Sequence, residues 1–138
     1  MKYIRLSWFN YCLVAIALSS NAVASDPANG GAAGHDKAPH NGQFIAVGEY
    51  HIEMLAKDNE LTIYLTDHEW KPKNVDGATG KVLILSNKEK KEISITPEKD
   101  NLITAKGQFT SAADMKVVLT LNLPNEKAMN ARFTPLAK

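Results

Sequence analysis

The chain of 138 residues holds a single cysteine, Cys12, and its 16 basic side chains are almost matched by 15 acidic ones. No apolar run approaches the roughly 20 residues that a membrane-spanning helix needs, and no glycine-rich phosphate loop is present. The missing basic excess argues against a dedicated nucleic-acid binder. An apolar content of 44% argues against a chain too polar to bury a core.

The apolar run that does exist is short and sits at the start. Lys2 and Arg5 precede a mainly apolar stretch from Trp8 to Leu18, and Ala22-Val23-Ala24 has the small-x-small pattern of a signal-peptidase site. Residues 1–24 are therefore expected to be a cleaved secretory signal, with Ser25 as the new N-terminus and a periplasmic destination. Cys12 falls inside this segment without the small residues that precede a lipidated cysteine. Cleavage would leave no cysteine and a slight acidic excess, which excludes disulfides, thiolate metal sites and cysteine nucleophiles from residues 25–138. An exported domain of this kind must be held by its hydrophobic core alone.

Residues 25–39 are rich in Gly, Ala, Asp and Pro, lack apolar periodicity, and read as a flexible leader. From Gln43 onward apolar residues recur with period two, the spacing of half-buried strands. Candidate strands are Phe44 to Val47, Tyr50 to Lys57, Glu60 to Thr66, Lys81 to Leu85, Glu92 to Thr96, Leu102 to Ala105, Lys116 to Leu121 and Met129 to Thr134. Turn signals separate them, among them Asp58-Asn59, Asp76-Gly77, Asn87 to Lys91 and Pro124-Asn125. The mixed charge run Glu89 to Glu92 reads as a solvated hairpin tip. The pattern predicts an all-β domain over residues 40–138, an antiparallel immunoglobulin-like sandwich of seven or eight short strands, with a small β-barrel as the alternative.

The first long hairpin carries the most chemistry. With Asp58-Asn59 as a two-residue turn, Ile52 faces Leu65, Met54 faces Ile63 and Ala56 faces Leu61, and with Tyr50 they make one apolar face. The opposite face collects Glu49, His51, Glu53, Tyr64, Thr66 and His68, with His51 opposite Thr66 and His68 opposite Glu49. Two imidazoles and two carboxylates would then share an exposed patch. His40, with Gly42 as a flexible point, could fold back to cap it, and His35 could follow from the leader. Imidazole and carboxylate are ligands suited to Zn(II), Cu(II) or Ni(II). The candidate ligands are thus His40, His51, His68, Glu53 and Glu49. The bland reading is a solvated polar sheet face. Met54, Met115 and Met129 fall on apolar positions and read as core; Trp70 reads as a packing lid.

The run His40-Asn41-Gly42, then Val47 to Glu53, then Leu61 to His68 and Lys71-Pro72, resembles small exported domains associated with heavy-metal efflux. It is similar to the metal-binding region near the N-terminus of some periplasmic adaptor (membrane fusion) proteins of tripartite metal pumps, where a His-Gly-Gly run precedes two such strands. Asn41 stands in place of the first glycine. The chain carries no long helical hairpin or biotinyl-like domain, so the resemblance implies a free-standing metal-binding domain rather than a complete adaptor. It carries over His40, His51 and, as a further candidate, His68 as ligands.

The expected function is a periplasmic protein that binds a divalent heavy metal and buffers it or delivers it to an efflux system, with an efflux adaptor as partner. A metal-free sandwich module that binds another protein is the alternative. Without a cysteine nucleophile, a Gly-x-Ser-x-Gly elbow or a metallohydrolase motif, the chain is not expected to be an enzyme.

Overall fold

Alternation of apolar and polar residues does most of the work in the computed structural model, which describes residues 37–137. The expected signal peptide and nearly all of the leader, His35 included, lie outside the described residues. Strand β1 (Gln43–Val47) pairs with β2 (Tyr50–Lys57), and β2 with β3 (Glu60–Thr66), so the chain opens as a three-stranded meander. The β2–β3 register is the one the alternation demands, with Ile52 opposite Leu65, Met54 opposite Ile63 and His51 opposite Thr66. Asn59 turns the hairpin at φ 66°, a left-handed conformation that asparagine tolerates. A slip of one residue would carry five fully buried side chains, Ile52, Met54, Leu61, Ile63 and Leu65, to the other face.

The chain then crosses to a second sheet for the hairpin β4 (Thr79–Ser86) and β5 (Glu89–Ser94). It returns to the first sheet for the two-residue strand β6 (Thr96–Pro97) and β7 (Leu102–Lys106), and ends in the second with β8 (Lys116–Asn122) and β9 (Met129–Phe133). One sheet has the order β1-β2-β3-β7-β6 and the other β5-β4-β8-β9, all neighbours antiparallel. The architecture is all-β with two separate sheets, a sandwich and not a closed barrel.

Two details depart from expectation. The segment read as one strand, Glu92 to Thr96, is split at Ile95: β5 lies in one sheet and β6 in the other, with Ile95 buried at the crossing. Pro97 fits the short outer strand β6, where a missing N–H costs no ladder bond. The charge run Glu89 to Glu92 is not the hairpin tip. Asn87 and Lys88, at φ 52° and 64°, make the whole turn, and the run belongs to edge strand β5, where charge discourages edge-to-edge pairing.

The core lies between the sheets. Ile52, Met54, Ile63, Leu65 and Ile103 meet Val82, Ile84, Leu119, Leu121 and Phe133, and Val75, Met115 and Met129 belong to the same cluster. All three methionines read as core are buried there. Tyr50 is only half-buried, because it sits at the end of β2 and donates its hydroxyl to Glu126.

Candidate functional site

The site lies on the outer side of the first sheet, where a sandwich normally shows polar side chains to water. Here that face is covered. His51, Glu53 and Thr66 are 3%, 2% and 5% exposed, so the centre of the expected solvent-exposed patch is an enclosed polar layer, while His68 and Glu49 at its margin remain exposed. Two segments without strand periodicity close over it: residues 38–42, before β1, and residues 67–72, after β3.

The first segment is a strap. Pro39 sets the second position of a turn in which Asn41 N–H donates to Ala38 C=O at 3.0 Å, and Asn41 adopts φ 61°. Such a conformation suits glycine or asparagine, so asparagine can occupy this place without strain. Gly42 then lies so close to β2 that a Cβ would stand 2.6 Å from the Met54 carbonyl oxygen. This approach delivers both flanking amides to Glu53: Oε1 accepts from His40 N–H at 2.9 Å and from Gly42 N–H at 2.8 Å. Glu53 Oε2 lies 2.9 Å from His40 Nδ1. A carboxylate only accepts, so Nδ1 carries the proton and His40 keeps Nε2 as its ligand nitrogen. The imidazole also stacks on Tyr64, with centroids 3.7 Å apart and planes at 9°.

The second segment is organised by Asp67. Its Oδ1 accepts from Glu69 N–H at 3.0 Å and Lys71 N–H at 2.9 Å, and Lys73 Nζ lies 3.2 Å from Oδ2. The Lys71 amide foremost, helped by Lys73 and the Glu69 amide, holds the Asp67 carboxyl below the usual carboxylate range. The loop so fixed presents His68 and Trp70. Trp70 sits at φ 62°, a strained conformation for a bulky residue, with its ring 4.6 Å from His51 and edge-on to Phe44 at 5.0 Å. Phe44 and His51 are themselves 5.3 Å apart, so His51 is enclosed by aromatic rings.

His68 completes the enclosure. Its Nδ1 lies 3.0 Å from His51 Nε2, and its Nε2 lies 3.1 Å from the Gly48 carbonyl oxygen. A carbonyl only accepts, so Nε2 carries the proton of a neutral His68 and Nδ1 is the acceptor facing His51. His68 therefore reaches His51 from a turn beyond the end of β3 rather than from a strand position opposite Glu49. Glu49 lies in the exposed turn between β1 and β2.

The five sequence candidates thus fall in three places: His51 with His68, His40 with Glu53, and Glu49 apart. Among the described residues, no group of three or more His, Cys, Asp or Glu side chains is gathered for a metal ion. Phe44 and the Gly48 carbonyl were not anticipated as parts of the site, and Thr66, expected on this face opposite His51, carried no expected role. Phe44 and Thr66 had a legible signal, since the register places Phe44 beside Glu53 and Thr66 beside His51. No helix among the described residues is long and apolar enough to cross a membrane. No family model, curated protein or solved structure matches this chain.

Proposed function

We propose that this chain is an exported, periplasmic protein that binds a divalent transition metal, Zn, Cu or Ni, through His51 and His68, and buffers the ion or delivers it to an efflux system. The observation that carries this reading is the 3.0 Å separation of His51 Nε2 and His68 Nδ1. With metal–nitrogen bonds of about 2.0–2.1 Å, that spacing corresponds to an N–metal–N angle of roughly 95°. Such an angle suits two adjacent ligands on one ion. His51 would move its proton to the other ring nitrogen, and the ion would replace the hydrogen bond.

The surroundings favour the same reading. Metal-binding histidines characteristically donate their second ring N–H to a carbonyl or carboxylate, which sets the tautomer and ring orientation. His68 makes this contact with Gly48 and His40 makes it with Glu53. Glu53, already engaged by three donors, then orients His40 and the strap rather than ligating. His40 Nε2 and Glu49 are reserves for completing a coordination shell.

Titrating the purified protein with each of the three ions by calorimetry tests the proposal. One bound ion in the wild type and none in His51→Ala is the expected result. Equal binding by the two proteins would favour a metal-free interaction module, in which the histidines serve as packing.

A further inference from the structure

Resting on that reading, we propose that the Thr66 hydroxyl is a working part of the His51–His68 site. It would accept a hydrogen bond from a water molecule carried in by the ion. Thr66 is 5% exposed, and its Oγ1 is buried without a hydrogen-bond partner among the described residues. A buried hydroxyl left in this state costs free energy, and nothing in the sheet requires one here: valine would fill the same shape and suit a strand better. The group therefore wants a partner that arrives from outside the fold.

Its position identifies the partner. Thr66 is the cross-strand neighbour of His51, and directly opposed side chains have Cβ atoms about 4.5–5.5 Å apart on the same face. Thr66 Oγ1 nonetheless makes no hydrogen bond to the His51 ring, and a cross-strand separation of that size leaves room for one ordered water to bridge the two groups. A neutral hydroxyl is a weak direct ligand for Zn, Cu or Ni, which favour imidazole. A water on the ion, acidified by the charge, is by contrast a strong donor to an unengaged oxygen. With two imidazoles brought together among the described residues, an ion held there would keep water in its shell, and Thr66 Oγ1 would give that water a fixed place.

The experiment compares Thr66→Val and Thr66→Ser with the wild type and His51→Ala, measuring Zn(II) and Cu(II) affinity and the thermal midpoint of the metal-free protein. Thr66→Val should lower affinity about tenfold or more, the usual effect of losing a group that supports a ligand. Its metal-free midpoint should stay level or rise, because an unengaged buried hydroxyl has been replaced by a methyl. Thr66→Ser should bind like the wild type. If Thr66→Val binds normally while His51→Ala does not, the metal site stands and the role of Thr66 is overturned. If metal-free Thr66→Val melts well below the wild type, or Thr66→Ser binds as poorly as Thr66→Val, the hydroxyl serves the fold or the packing and the proposal also fails. A wild type that binds neither ion overturns both this inference and the metal-binding reading.

Discussion

The imidazole of His40 stacks on the phenol of Tyr64 at 3.7 Å and faces the Glu53 carboxylate through Nδ1 at 2.9 Å, so one ring fastens the strap to two adjacent strands. Glu53 is the hub of this fastening, since its carboxylate also takes the amides of His40 and Gly42. Glu53→Ala should destabilise the protein by about 2 kcal/mol, because three partly buried donors lose a charged acceptor. Glu53→Gln keeps one acceptor oxygen and should cost less, about 1.5 kcal/mol. Urea denaturation checks both, and a neutral result for Glu53→Ala would mean that the strap does not depend on the carboxylate.

Ile63 is fully buried between the sheets. Ile63→Asp places an unpaired charge there and should cost several kcal/mol, on the order of 4 or more, enough to unfold many small domains. Circular dichroism during thermal denaturation is sufficient to read this.

Asp67 is held below the ordinary carboxylate range by the Lys71 amide above all. A depressed carboxyl stabilises the folded state above its unfolded value of about 3.9, and that contribution disappears as pH falls through the lower folded value. Asp67→Asn keeps an oxygen acceptor but loses the charge. The variant should be less stable than the wild type at neutral pH and equal to it in strong acid. A constant difference across the whole pH range would show that charge plays no part.

Tyr50, by donating to Glu126, has its hydroxyl pushed up to about 12, chiefly through that hydrogen bond. The raised value means that the stabilisation is intact below the unfolded value of about 10 and is lost as pH rises from there through the folded value. Ultraviolet titration of Glu126→Gln should show Tyr50 ionising at lower pH than in the wild type.

Protons compete with a metal for imidazole nitrogen, so the proposed binding should weaken as the solution is acidified below neutrality. His68→Ala should weaken it nearly as much as His51→Ala, while His40→Ala should have the smaller effect. Calorimetry at two pH values distinguishes these outcomes.

The hairpin register was readable because two opposed patterns and one turn all had to agree: Ile52, Met54, Leu61, Ile63 and Leu65 inside, and Asn59 in a left-handed turn. The return of His40 was readable from Gly42. Burial of the outer face was not, because the loop that covers it has no periodicity. Its path depends on Asp67 gathering the amides of Glu69 and Lys71, a local contact that leaves no hydrophobic pattern. The contacts within the polar face were illegible for the same reason. Once the strap closes, Glu53 becomes an internal anchor, and His68 meets His51 from a loop rather than across a ladder.

The chain contains two tryptophans, Trp8 and Trp70, so removal of residues 1–24 would leave a single indole. That indole lies 4.6 Å from the His51 ring, held there in a left-handed backbone conformation. The protein thus carries its own optical probe beside the histidine pair. With excitation at the red edge, where the tyrosines do not absorb, emission from this one indole would respond to whatever happens at His51. A paramagnetic Cu(II) or Ni(II) ion arriving at that ring would quench it, while closed-shell Zn(II) would shift it without extinguishing it, so filling of the site and the kind of ion filling it could be followed in the unlabelled protein.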